Sequence, residues 1–213
     1  MAEEGGTQLF LVVETGQSAL DRLTAALAAA PVASVLIVPP AGQKLDTSAA
    51  ELLIQHAQSR GAAALVFADP DLARRLQADG VHLPHGKDIE SQYRSARQIV
   101  GPGAIVGVHA GKSRHDAMML AEAGADYVAF GVPEGVQDYE AARERRLDLV
   151  AWWAEIFEVP CVALDVESTE DAAQLAEAGA DFVGLAIGKG EPLADIGGRI
   201  KAMAEAVAPA PAD

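Results

Sequence analysis

The stretch Leu120-Ala-Glu-Ala-Gly-Ala-Asp-Tyr-Val128 returns almost letter for letter as Leu175-Ala-Glu-Ala-Gly-Ala-Asp-Phe-Val183, and a looser copy stands at Leu76-Gln-Ala-Asp-Gly-Val-His82. Each copy passes from an Ala-rich helical stretch into a short apolar run. Gly124 and Gly179 stand where a residue in the left-handed conformation ends a helix and lets the next strand begin almost at once. Just upstream, Ser113-x-x-Asp116 and Ser168-x-x-Asp171 are helix starts, the serine capping backbone N–H groups and the acid favouring the positive helix end. One helix-to-strand unit therefore recurs along the chain. Working outward, the same alternation yields eight β-rich runs: Leu9 to Val13, Val35 to Val38, Ala64 to Ala68, Gly80 to Leu83, Ile105 to His109, Tyr127 to Gly131, Cys161 to Asp165 and Phe182 to Ile187. Repeated βα units of this kind predict an α/β protein, a single (β/α)8 TIM barrel. An open doubly wound sheet would carry a Gly-rich fingerprint after its first strand, and Val13-Glu14-Thr15-Gly16-Gln17 is not one.

A length of 213 residues suits one such barrel, expected over residues 1–207, with an Ala/Pro tail over 208–213 whose prolines cannot sustain a helix. The formal net charge of −15 argues against nucleic acid or an anionic membrane as partner, since both require a basic face. The lone Cys161 lies in an apolar run and reads as a small core residue. Neither a secretory pattern at the N-terminus nor an apolar stretch of membrane-spanning length occurs, so the expected compartment is the cytoplasm. Oligomeric state is left open, a homo-oligomer included.

Barrel enzymes keep their chemistry at the C-terminal ends of the strands, which picks out a handful of residues. His109 closes the fifth run and is a candidate acid/base, or else a polar plug in the barrel mouth. Lys112, Arg114 and His115 follow it and form the most basic short segment expected at the mouth. Gly188-Lys189-Gly190 follows the eighth run, where barrels commonly bind phosphate on backbone N–H groups and a helix N-terminus. Asp165 and Glu167 are strand-end carboxylates suited to a base, a substrate contact or a metal. His82, inside a run, reads as structural. The linker from Val132 to about Tyr139 is the longest break between a strand and its helix, and is a lid candidate. No zinc-spaced Cys/His cluster and no Gly-x-Ser-x-Gly motif occurs.

The string Ala78-Asp79-Gly80-Val81-His82-Leu83 followed by Asp88, then Ile105-Val106-Gly107-Val108, then Gly124-Ala-Asp-Tyr-Val128-Ala-Phe-Gly131, resembles the thiamine phosphate synthase family, which includes a thiazole tautomerase branch. The resemblance implies a barrel that joins a hydroxymethylpyrimidine diphosphate to a thiazole phosphate, so the expected ligand is a small phosphorylated heterocycle. It also implies Mg2+ on two aspartates matched by Asp69 and Asp88, to which the position of Gly188, Lys189 and Gly190 after the eighth run adds a phosphate contact. The chain departs from the family in several places. Where Gln-x-Arg-x-Lys is expected after the second strand it reads Ile37-Val38-Pro39-Pro40-Ala41, which offers no cation. Ala68 replaces an Asn, His109 a Ser, and Leu164-Asp165-Val166 stands where the seventh strand should end in Gly-Gly. The sixth loop lacks Thr-x-Thr-Lys, and the catalytic His of the tautomerase branch is Val132. Two readings follow: a divergent synthase-like enzyme, or a paralogue that binds a phosphorylated metabolite or a protein partner without turnover.

Overall fold

The computed structural model describes residues 6–133, 135–188 and 190–209. Strands and helices alternate: β1 (Gln8–Glu14), α1 (Ala19–Ala29), β2 (Ser34–Val38), α2 (Thr47–Ser59), β3 (Ala63–Phe67), α3 (Pro70–Arg75), β4 (Gly80–Leu83), α4 (Ile89–Val100), β5 (Ile105–His109), α5 (Arg114–Glu122), β6 (Tyr127–Phe130), α6 (Tyr139–Ile156), β7 (Cys161–Ala163), α7 (Thr169–Glu177), β8 (Phe182–Ile187) and α8 (Leu193–Ala206). The strands are parallel and pair in chain order, with β8 closing on β1. The eight expected runs are the eight strands, so the barrel reading holds. β7 stops two residues short of its expected end because Asp165 turns the chain at φ 60°.

Alternation along each strand divides the interior in two. One set, including Phe10, Leu36, Leu65, Tyr127 and Val162, fills the lumen. The other, including Leu11, Ile37, Val66, Val108 and Leu185, packs under the helices. Gly107 is required here: a Cβ on it would lie 1.8 Å from Cζ of Tyr127. Its bareness lets the Tyr127 ring cross the lumen to place its hydroxyl 2.8 Å from Nδ1 of His82. His82 is 2% exposed, and burial, aided by nearby His109, pushes its pKa down to about 3. The expectation of a structural histidine is met.

The recurring Ala-Asp text has a physical reason. Asp79, Asp126 and Asp181 stand immediately before β4, β6 and β8. Their Oδ2 atoms accept the backbone N–H of Ala64 (2.7 Å), Val106 (2.7 Å) and Cys161 (2.8 Å) at the starts of the preceding strands. Each carboxylate thus satisfies a donor that strand pairing leaves over. Gly124 and Gly179 take positive φ, 97° and 92°, ending their helices as expected, and Gln77 takes the equivalent place at φ 55°. Ser113 and Ser168 cap α5 and α7 through Asp116 N and Asp171 N. Among the described residues no helix is long and apolar enough to cross a membrane.

Candidate functional site at the barrel mouth

β5 delivers His109 to the C-terminal rim, with its side chain largely buried. Its Nε2 lies 3.0 Å from the position a Cβ on Gly131 would take, and Oδ2 of Asp165 lies 2.6 Å from the same point. The imidazole and the carboxylate thus close over Gly131 from two sides, and a side chain there would displace both. Asp165 Oδ2 also accepts the N–H of Val132 at 2.8 Å, tying the exit of β7 to the start of the β6–α6 loop.

The backbone of Asp165 is held from below. Arg146, a fully buried residue of α6, donates through Nη1 to the carbonyls of Leu164 (2.6 Å) and Asp165 (2.8 Å). Its Nη2 donates to both oxygens of Asp171, each at 2.6 Å, and Arg143 reaches the same carboxylate at 3.1 Å. A planar guanidinium suits this fork, and the charge is paired where burial would otherwise make it costly. Nothing in the sequence separates Arg146 from other helical arginines.

His85, on the β4–α4 loop, presses on Gly111, where a Cβ would meet its Nδ1 at 2.7 Å, and it stands edge-on to His109 with ring centroids 6.3 Å apart. Burial, and then the proximity of His85, pushes the pKa of His109 down to about 4. At neutral pH His109 is therefore an uncharged imidazole, able to donate or accept a hydrogen bond but weak as a proton acceptor.

Asp69 follows β3 and caps α3, its Oδ1 accepting Leu72 N–H at 2.8 Å. Asp88 opens α4 at φ 59° and makes no capping bond with its side chain. Asp88 lines a cleft of about 620 Å3 with His85, Lys87 and Asp116, whereas Ala68 and Pro70, the neighbours of Asp69, line a different cleft with Leu83 and Gln92. Among the described residues no group of three or more His, Cys, Asp or Glu is arranged to hold a metal. Carboxylate oxygens such as those of Asp69 and Asp88 are the hard donors Mg2+ takes, one or two at a time, beside phosphate oxygens and water.

Lys112 is exposed on the β5–α5 loop, while Arg114 stacks its guanidinium on Trp152 of α6, 4.7 Å from the ring centroid. The basic segment is thus divided, with Arg114 engaged on the outer helix layer. After β8, Gly188 and Gly190 are exposed, and Lys189 lies outside the described residues. Arg199 fastens this turn through Glu191 (2.6 Å) and the carbonyl of Ala186 (2.9 Å), and α8 starts with no side-chain cap.

A family model described as thiamine monophosphate synthase matches residues 9–187. The thiamine-phosphate synthase of Rhodospirillum centenum is 42% identical over 166 residues, covering 76% of this chain and 78% of that protein. The thiamine-phosphate synthase of Erythrobacter litoralis is 42% identical over 143 residues, covering 65% and 64%. Among solved structures, thiamine phosphate pyrophosphorylase from Pyrococcus furiosus superposes with a TM-score of 0.71 at 18% identity, over 94% of this chain and 95% of that one. A tryptophan synthase chain from Mycobacterium tuberculosis reaches 0.76 at 15% identity, over 95% and 93%. At such identities the structural likeness speaks for the fold alone.

Proposed function

Because the chain belongs to the thiamine monophosphate synthase family, we propose that it joins a hydroxymethylpyrimidine diphosphate to a thiazole phosphate with release of pyrophosphate. The observation that carries this reading is the reach of the family match, residues 9–187, which runs from the first strand of the barrel to the end of the last. Asp69 and Asp88 are the residues that would hold Mg2+, which when bound offsets negative charge on the departing pyrophosphate. His109 serves as a neutral hydrogen-bonding group against the substrate rings, held beside Gly131 together with Asp165. Gly188, Lys189, Gly190 and the uncapped start of α8 are the proposed phosphate contact, and Lys112 is the exposed cation nearest His109 in sequence.

Turnover is expected to be slow. β2 ends at Val38 and is followed by Pro39, Pro40 and Ala41, so none of the three residues at the strand's exit offers a cation to stabilise the leaving group. Loss of one such donor costs about a hundredfold to a thousandfold in rate. Purified protein incubated with both substrates and Mg2+ should release pyrophosphate and form thiamine phosphate at least about a hundredfold more slowly than a relative carrying those cations. Substrate binding without any coupled product would favour the second reading, a binder without turnover, which the cation-free exit of β2 supports. Absence of both binding and product would refute both.

A further inference from the structure

Two arginines of this chain are almost wholly buried, and they are treated very differently. Arg146 has both terminal nitrogens engaged by carbonyls and a carboxylate. Arg22, on the first turns of α1, is 5% exposed, and its Nε and Nη2 are buried without a hydrogen-bond partner. A guanidinium does not lose its proton in a protein, and an unpaired buried charge is among the costliest features a fold can contain.

A second orphan lies alongside. Thr15 is 1% exposed and its hydroxyl also lacks a partner. It follows β1 directly, and its N–H donates to the Val38 carbonyl at 2.9 Å, so the β1–β2 ladder continues through it. Thr15 shares the parity of Leu11 and Val13, the residues that face the helices, which aims its side chain at α1. Helical side chains lean toward the helix N-terminus, so Arg22 covers the turn in front of it, toward Thr15 and Ser18. Ser18 in turn is the N-cap residue of α1, at φ 59°, and gives the helix no side-chain cap. A buried cation and a buried hydroxyl, both without a partner, thus belong to the corner where α1 starts without a side-chain cap.

We infer that the β1–α1 corner is an oxyanion subsite centred on Arg22, taking the phosphoryl group of a small phosphorylated ligand. The matching donors are a guanidinium fork, a hydroxyl and the positive end of a helix. The turn of Gly16, Gln17 and Ser18 that leads into α1 is exposed. The nearby acids do not fill the role: Asp21 is exposed, and Glu14 has the opposite parity and belongs to the lumen side of β1. Val13 pairs with Ile187, so this corner adjoins the turn of Gly188 and Gly190 after β8. It also adjoins the cation-free end of β2. A positive group is thereby supplied to the rim from a helix rather than a strand.

This inference is independent of the coupling reaction, because its test reads binding of simple anions with no turnover. Inorganic phosphate and pyrophosphate are titrated into the protein in a metal-free buffer, followed by calorimetry and by melting temperature, for the wild type, Arg22→Met and Thr15→Val. The wild type should bind and be stabilised. Arg22→Met, which keeps the volume and removes the charge, should melt no lower than the wild type without ligand and bind at least about tenfold more weakly, with a smaller loss for Thr15→Val. A wild type that binds neither anion, or an Arg22→Met chain that binds both as the wild type does, overturns the assignment. So does an Arg22→Met chain that melts far lower or fails to fold, for then the guanidinium serves the fold without a ligand.

Discussion

At the N-terminal rim Asp79, Asp126 and Asp181 do the same thing three times, each closing a strand pair through one backbone N–H. At the mouth the backbone turns through the left-handed region instead, at two strand exits and two helix starts. β3 leaves through Ala68 at φ 59°, the β4 loop enters α4 through Asp88 at φ 59°, β7 leaves through Asp165 at φ 60°, and α1 begins at Ser18, also φ 59°. Of the five non-glycine residues at positive φ among the described residues, Gln77 alone lies on the N-terminal rim. The described buried side-chain atoms without a hydrogen-bond partner belong to Thr15, Arg22, Tyr139 and Arg146, and Thr15, like His109 with its displaced titration, stands at the mouth end of its strand. Repetition marks the end that stabilises the barrel. Irregularity, which a fold tolerates only where the surroundings enforce it, marks the end that carries the proposed ligand contacts.

The largest effect that would sharpen this contrast is one of pH. His109 and His82 have folded-state pKa values lowered to about 4 and about 3 from 6.5, so between these limits the unfolded chain binds more protons than the folded one. Stability that is complete above pH 6.5 is therefore lost as pH falls toward 4 and below. At 1.36 kcal/mol per unit, His109 accounts for about 3 kcal/mol of this and His82 for more. Urea titrations at a series of pH values should show this slope, and His109→Gln should flatten its upper part. A flat wild-type profile from pH 6.5 to 4 would mean that neither ring is held neutral.

Next in size is Arg146→Met, which leaves Asp171 with Arg143 alone and takes the donor from the carbonyls of Leu164 and Asp165. A cost of about 3 to 5 kcal/mol is expected, and because the exit of β7 is released, Asp165 should no longer hold Val132. Adding Asp171→Leu should recover much of the loss. A single variant within 1 kcal/mol of the wild type would show that Arg146 is not what holds the exit of β7. At the other rim Asp181→Ala leaves the N–H of Cys161 without its acceptor, for about 1 to 3 kcal/mol, and should leave anion binding unchanged.

How far the sequence reached follows the same division. The eight strands, the glycine helix ends and the Ser113 and Ser168 caps were legible because each depends on neighbours within a few residues. His109 could be placed at a strand end by periodicity alone. Its contact with Gly131 and Asp165 could not, since that joins three strands. Arg146 and Arg22 were passed over because a helical arginine in an acidic chain reads as a solvated residue until its burial is known, and Asp171 was read only as part of a helix start.

The smallest effect tests whether the irregular mouth is under strain at all, using two residues of nearly equal φ on opposite rims. Ala68 (φ 59°) and Gln77 (φ 55°) are both exposed, and each uses its backbone in a bond that glycine retains: Ala68 N–H to the His82 carbonyl, and the Gln77 carbonyl to Gln58. A Cβ in the left-handed region costs about 1 to 2 kcal/mol, and the extra freedom of glycine in the unfolded chain offsets roughly 0.5 to 1 of that. Ala68→Gly and Gln77→Gly should therefore each stabilise by about 0.5 to 1 kcal/mol in urea titrations. They should part in function. Gln77 is remote from the mouth and its variant should bind Mg2+ with pyrophosphate as the wild type does, whereas Ala68 sets the direction of Asp69, so its variant should bind more weakly despite its greater stability. Equal binding by the two variants would detach the strain at Ala68 from the proposed metal ligand beside it.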